Sequence, residues 1–142
     1  MIGLDEFGTL VRDVLFNGRP LNAAQLDAIN HSDDRILNVV AGPGSGKTTV
    51  IVLRALRHVL VDDILPDNVV ITTFTIKAAK ELRTRWLDWG STLFHILSQD
   101  ARFEPQLRAI DLNRCRISTL DSLTEQTLSE HRPPRRGCAG PS

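Results

Sequence analysis

Residues 41–48 read A-G-P-G-S-G-K-T, and no other stretch of the 142-residue chain limits its possible folds as tightly. The β-rich run Ile36-Leu37-Asn38-Val39-Val40-Ala41 precedes it and a segment of helical periodicity follows. That order is the phosphate-loop pattern, with Ala41 in place of the usual leading glycine. Gly42, Gly44 and Gly46 open backbone conformations closed to other residues, so the loop's N–H groups can point inward. The start of the following helix adds unpaired donors and a favourable dipole for phosphate oxygens. Lys47 reaches the β and γ phosphates as a point charge, and Thr48 offers a hydroxyl to Mg²⁺. A glycine-rich turn without this role is the competing reading, but strand, loop, lysine, hydroxyl and helix stand in the required order. The nucleotide-binding candidates are therefore Ala41, Gly42, Pro43, Gly44, Ser45, Gly46, Lys47, Thr48 and Thr49, with ATP and Mg²⁺ as cofactors. Lys47 and Thr48 carry the chemistry, Thr48 as the metal contact.

The rest of the chain supplies the frame. Residues 4–16 repeat apolar positions at helical intervals, and Asn17-Gly18-Arg19-Pro20 ends them with turn chemistry. Asn22 can cap a short helix through Ala23, Gln25, Leu26 and Ile29. A buried strand is expected over 36–41, and a helix from near Gly46 carrying Val50, Leu53, Leu56, Arg57 and Leu60. Leu65-Pro66-Asp67-Asn68 breaks the chain before a second strand over 69–74. Residues 76–88 read as a helix with Ala78, Ala79, Leu82, Trp86 and Leu87 inward, and 92–102 as a further helical stretch. A third strand over 116–120 leads into a helix from Asp121 to about Glu130. Strands alternating with helices predict an α/β fold, a parallel sheet covered on both faces.

Composition excludes several classes of function. Seventeen Lys plus Arg balance seventeen Asp plus Glu, which is neither a polybasic tail protein nor an acidic disordered one. The balance averages unlike segments: residues 1–34 hold six acids and two bases, residues 35–61 four bases and no acid. The basic portion contains the loop. The start M-I-G-L-D-E-F lacks the basic residues of a signal peptide. No apolar run approaches the roughly 20 residues of a membrane span, so a cytoplasmic protein without a membrane partner is expected. Cys115 and Cys138 have no paired spacing, and His31, His58, His95 and His131 are scattered, which predicts reduced thiols and no zinc site. Residues 132–142, rich in Pro, Gly and Arg, read as a disordered or off-pattern tail beyond a domain over 1–131.

The flanks of the loop narrow the class. Leu21-Asn22-Ala23-Ala24-Gln25-Leu26-Asp27-Ala28-Ile29 precedes it, T-F-T-I-K-A-A-K-E-L-R-T-R follows at 73–85, and Thr119-Leu120-Asp121-Ser122-Leu123 comes later. In this order they resemble the Q motif, motif I, motif Ia and motif Ib of UvrD/Rep-type superfamily 1 helicases. The resemblance implies an incomplete RecA-like P-loop NTPase domain, part of an enzyme driving 3′-to-5′ DNA unwinding and repair. It implies that Gln25 reads the adenine edge through an amide that both donates and accepts. It implies too that Phe74, Thr75 and Lys77 line a single-stranded DNA path, with phosphate contacts from Thr119 and Ser122. Other readings stand beside these: an exposed helix residue for Gln25, a core residue for Phe74, helix caps for Thr119 and Ser122. Ile76 replaces the family's usual Asn. Asp121 stands where Rep-type members carry His, which looks more like the RecB/AddA-type branch.

Hydrolysis needs an Asp for Mg²⁺ on a further strand and a Glu to activate water. Val59-Leu60-Val61-Asp62-Asp63 imitates such a strand but lies at the end of the loop's own helix, where its carboxylates should reach the surface. No D-E-x-Q-D pattern occurs in the chain. The expectation is a truncated or frame-shifted reading whose partner is the remainder of the motor. It would leave an open sheet edge and an uncovered face, and would bind ATP without hydrolysing it. The alternatives are a stand-alone nucleotide-binding module, or a small P-loop kinase with Arg83 and Arg85 gripping phosphate.

Overall fold

The computed structural model describes residues 2–32 and 35–132. The predicted tail beyond Arg132, with Cys138, lies outside the described residues. Helix α1 (Leu4–Leu10) continues as a π-helical turn over Val11–Leu15, and α2 spans Ala23–Asn30. Helix α3 (Lys47–Leu60) leads to strand β1 (Val70–Thr73) and the long helix α4 (Ile76–Ser98). The short helix α5 (Glu104–Arg108), strand β2 (Arg116–Thr119) and helix α6 (Leu120–Glu130) follow. Single 3₁₀ turns occupy Pro66–Asn68 and Leu112–Arg114.

Helix α3 is the hub. Val52, Leu53, Leu56, Val59 and Leu60 are buried along it, and it packs against α1, α2 and α4. Such a wide apolar stripe is what a helix enclosed by others requires. Its far end carries the two acids that imitate a catalytic strand. The helix stops at Leu60, and the Asp62 carboxylate takes the guanidinium of Arg57 at 3.2 Å and Nδ1 of His58 at 2.8 Å. Arg57 is only 4% exposed, so Asp62 compensates a charge that burial would otherwise leave unpaired. Both acids reach the surface, as expected from the sequence.

Strands β1 and β2 pair in parallel, with Ile71 opposite Ile117 and Thr73 opposite Thr119. Alternation turns Ile71 and Ile117 into the core, where α4 covers them. Trp86 on α4 is 1% exposed and its Nε1 donates to the Leu112 carbonyl at 2.9 Å. Beside this sheet, burial pushes the Cys115 thiol up to about 11.

Three expectations need correction. First, the predicted strand over 36–41 does not form: Ile36 and Val40 are exposed, and β1 and β2 pair only with each other. β-propensity requires a neighbouring strand to accept the ladder and cover the side chains, and none adjoins this segment among the described residues. Second, the sheet is buried on one face rather than both: Val70, Thr72 and Arg116 are exposed on the other. That is the uncovered face expected of an incomplete sheet. Third, the helical stretches 76–88 and 92–102 merge into one helix, which ends at Ser98. Gly90 lies within it, where a Cβ would stand 2.7 Å from Leu112 Cδ1 and 3.3 Å from Leu56 Cδ2. The glycine permits this close packing.

Candidate functional site

The glycine-rich loop precedes α3 directly, and its conformation is set locally. Gly44 (φ 73°) and Gly46 (φ 79°) occupy the left-handed region, where a side chain would strain the backbone. Gly46 is also the residue before the first turn of α3, with Lys47 and Thr48 as its first two positions. Gly42 departs from expectation. Its φ is not positive and nothing lies near its missing Cβ; its carbonyl accepts from Ser45 N at 3.3 Å and Ser45 Oγ at 2.6 Å. Lys47 Nζ donates to the Ala41 carbonyl at 3.1 Å, folding the lysine back over the loop. Thr48 and Thr49 are partly buried at the helix start, and Pro43 is exposed at the loop's tip.

Gln25 reaches this loop from α2. Asn22 Oδ1 accepts from Gln25 N at 2.8 Å, and Gln25 Oε1 accepts from Asn22 N at 3.2 Å, a reciprocal capping box. Gln25 Nε2 donates to the Ser45 carbonyl at 3.2 Å. A Cβ on Gly46 would sit 2.6 Å from that nitrogen, so this glycine is required twice, by its φ and by the glutamine. The N-x-x-Q spacing at 22–25 was the signal for the box; the bond to Ser45 had none. A cavity of about 480 Å³ opens beside the loop, lined by Gln25, Leu37, Val40, Lys47 and Arg54 among others. Arg54 is fixed by donating to the Ala28 carbonyl at 2.5 Å. Burial, then the neighbouring Arg57 charge, lowers its pKa from the ordinary guanidinium value.

The loop therefore gathers the kinds of group that a phosphate site uses. Two left-handed glycines precede a 14-residue helix, an ammonium lies at its first position and a hydroxyl at its second. Mg²⁺ would meet Thr48 as its protein oxygen among these residues. No group of three or more His, Cys, Asp or Glu that could hold a metal occurs among the described residues.

The second candidate set gathers at the C-terminal ends of β1 and β2. Phe74 is 89% exposed, which overturns the core reading and leaves its ring open on the surface. Lys77 is exposed, without hydrogen bond or ion pair among the described residues. Thr75 caps α4 by accepting from Ala78 N at 3.1 Å, and Thr119 caps α6 by accepting from Ser122 N at 3.2 Å. Thr119 thus fills the capping role, while each hydroxyl keeps its proton to donate. The two arginines of the kinase reading are committed elsewhere. Arg83 donates to the Ile117 carbonyl at 2.8 Å; Arg85 pairs with Glu81 at 3.1 Å and lies over the Trp89 ring.

Parallel strands linked through helices, with the glycine loop opening α3, make this an α/β unit of the partial RecA-like class. The chain belongs to the UvrD/REP helicase N-terminal domain family, whose profile matches residues 21–136. It is 39% identical over 110 residues to an ATP-dependent helicase/nuclease subunit of Streptococcus uberis, covering 75% of this chain and 9% of that protein. The protein of the same name from Syntrophomonas wolfei is 38% identical over 110 residues, covering 75% of this chain and 8% of that one. ATP-dependent DNA helicase SRS2 of Saccharomyces cerevisiae is 43% identical over 65 residues, 46% of this chain and 6% of the yeast protein. The helicase/nuclease matches agree with the branch suggested by Asp121. The chain spans less than a tenth of the length of these relatives. No helix among the described residues is long and apolar enough to cross a membrane.

Proposed function

We propose that this chain binds ATP with Mg²⁺ and acts as the ATP-binding part of a cytoplasmic helicase motor moving 3′ to 5′ on single-stranded DNA. The observation that carries the reading is the pair of left-handed glycines presenting Lys47 and Thr48 at the start of a buried helix. In this reading Lys47 leaves the Ala41 carbonyl for the β and γ phosphates, and Thr48 contacts Mg²⁺. The base enters the adjoining cavity, where Gln25 exchanges its bond to Ser45 for the adenine edge. Phe74 stacks on a base while Thr75, Lys77, Thr119 and Ser122 hold phosphates.

Water activation falls outside these 142 residues, which contain no D-E-x-Q-D pattern. The remainder of the motor would supply it, and the chain alone binds ATP without turnover. Titration with a fluorescent ATP analogue and Mg²⁺ tests the site. Lys47→Ala should weaken binding by about 10- to 100-fold, the loss of one charge-assisted contact. Equal affinity in the variant would defeat the nucleotide assignment, and Lys47-dependent ATP turnover by the purified chain would defeat the division of labour.

A further inference from the structure

Two helices form walls of the cavity beside the glycine loop, and a single arginine bond ties them away from the phosphate end. Lys47, Val50, Ile51 and Arg54 line the cavity from α3, spaced as one face of a helix. Arg54 therefore stands two turns, roughly 10 Å, beyond the lysine. Gln25 and Ala28 line it from α2. Among the described residues no acid lines this cavity, so the Arg54 guanidinium has no carboxylate there to pair with. It donates instead to the Ala28 carbonyl at 2.5 Å. Helix α2 ends at Asn30, so that carbonyl is among the last four, which have no partner within the helix. A cation there also suits the negative end of the helix dipole.

Gln25 lies one turn before Ala28, on the same wall. Its side chain links α2 to the loop through the Ser45 carbonyl. In the nucleotide reading above, Gln25 gives up that bond to meet adenine. Arg54 still ties α2 to α3 at that point, because its bond reaches backbone and leaves the Gln25 amide free. Position matters for the choice of base. Adenine offers an amino donor beside the N7 acceptor, whereas guanine offers O6 and N7, two acceptors. An amide held in one place matches the first pair and sets its own oxygen against an acceptor in the second. We infer that Arg54 is a positioning residue: by holding α2 at Ala28 it keeps Gln25 in register with the base and sets a preference for adenine over guanine. The inference rests on the nucleotide reading and adds to it a residue that acts on the base through Gln25.

The test uses the full 142-residue chain with Mg²⁺ and a fluorescent ATP analogue, displaced by ATP, GTP or tripolyphosphate. Arg54→Met should weaken ATP binding about ten-fold, the worth of one hydrogen bond to the base, and bring it level with GTP. Tripolyphosphate has no base, so its affinity should stay within about two-fold. Gln25→Ala should give the same pattern, and joining the two substitutions should add little, since both remove one contact. Arg54→Lys keeps a charged donor for the Ala28 carbonyl and should hold ATP affinity within about three-fold. Should Arg54→Met fail to fold, Arg54→Gln takes its place. Equal losses for ATP and tripolyphosphate would make Arg54 a general support of the loop and overturn the inference. A loss in Arg54→Lys as large as in Arg54→Met would mean that the guanidinium itself meets the nucleotide, which also overturns it. Unchanged ATP affinity in Arg54→Met, beside a loss in Gln25→Ala, would remove the role of Arg54 and leave the nucleotide reading standing. A wild-type chain that binds neither ATP nor tripolyphosphate would overturn both.

Discussion

Val40 and Ile117 are both β-branched, and each stands in a segment that leads toward a helix, yet Val40 is 98% exposed and Ile117 3%. Their own residues do not explain the contrast; their surroundings do. Ile117 lies opposite Ile71 in a parallel ladder and beneath α4. The run containing Val40 has helix α3 after it but no strand beside it among the described residues. The glycine loop is therefore held from its helix side. Its shape comes from the left-handed glycines, from the packing of α3, and from Gln25 reaching across to Ser45. The half of the molecule bearing β1, β2 and α4 is organised by pairing and burial. The loop itself depends on caps and local hydrogen bonds, although the helix it opens is buried.

This contrast ranks the effects of substitution. The largest belongs to Trp86, which joins α4 to the 112–114 turn through its ring and its Nε1 bond to Leu112. Trp86→Ala should cost about 3–5 kcal/mol, since it opens a cavity and also strands the Leu112 carbonyl. Urea unfolding followed by circular dichroism reads this directly. A loss below about 1 kcal/mol would mean that the paired half is not where stability resides. A smaller effect is expected where the loop's support begins. Asn22→Ala removes the acceptor for Gln25 N but leaves the backbone N–H that holds Gln25 Oε1. The loss should be about 1 kcal/mol, an ordinary cap deletion. A fall as large as that of Trp86→Ala would erase the distinction between the halves.

Much of this was legible in the sequence, for identifiable reasons. Helices α3 and α4 announce themselves by apolar spacing, β1 and β2 by β-branched runs bounded by turn residues, and the loop by its glycines and lysine. Short elements such as α5 and the 3₁₀ turn at Leu112–Arg114 carry too few periods to be read. The need for glycine at position 90 shows only once Leu112 and Leu56 are seen against it. Lys47 was visible in the glycine loop itself and Gln25 only through the resemblance of residues 21–29 to a family motif; the structure brings the two to one cavity. The exposure of Phe74 was hidden: an aromatic residue at a strand end reads the same whether its ring turns inward or out.

The smallest expected effect is the most informative about the unpaired run. Val40→Thr keeps the β-branch and nearly the volume while making the side chain polar. At a paired, buried position this exchange inserts a hydroxyl without a partner, and Ile117→Thr would suffer in that way. At Val40 the side chain already faces solvent, so the change should stay within about 0.5 kcal/mol. Thermal unfolding of the two variants side by side gives the comparison in one measurement. If Val40→Thr matched Ile117→Thr, the 36–41 run would be packed in solution as a strand is, and the loop would be anchored from both of its ends. A silent Val40→Thr beside a damaging Ile117→Thr places the loop's support on α2 and α3, which makes Gln25 and the first turn of α3 the elements that bound ATP would have to rearrange under the proposed function.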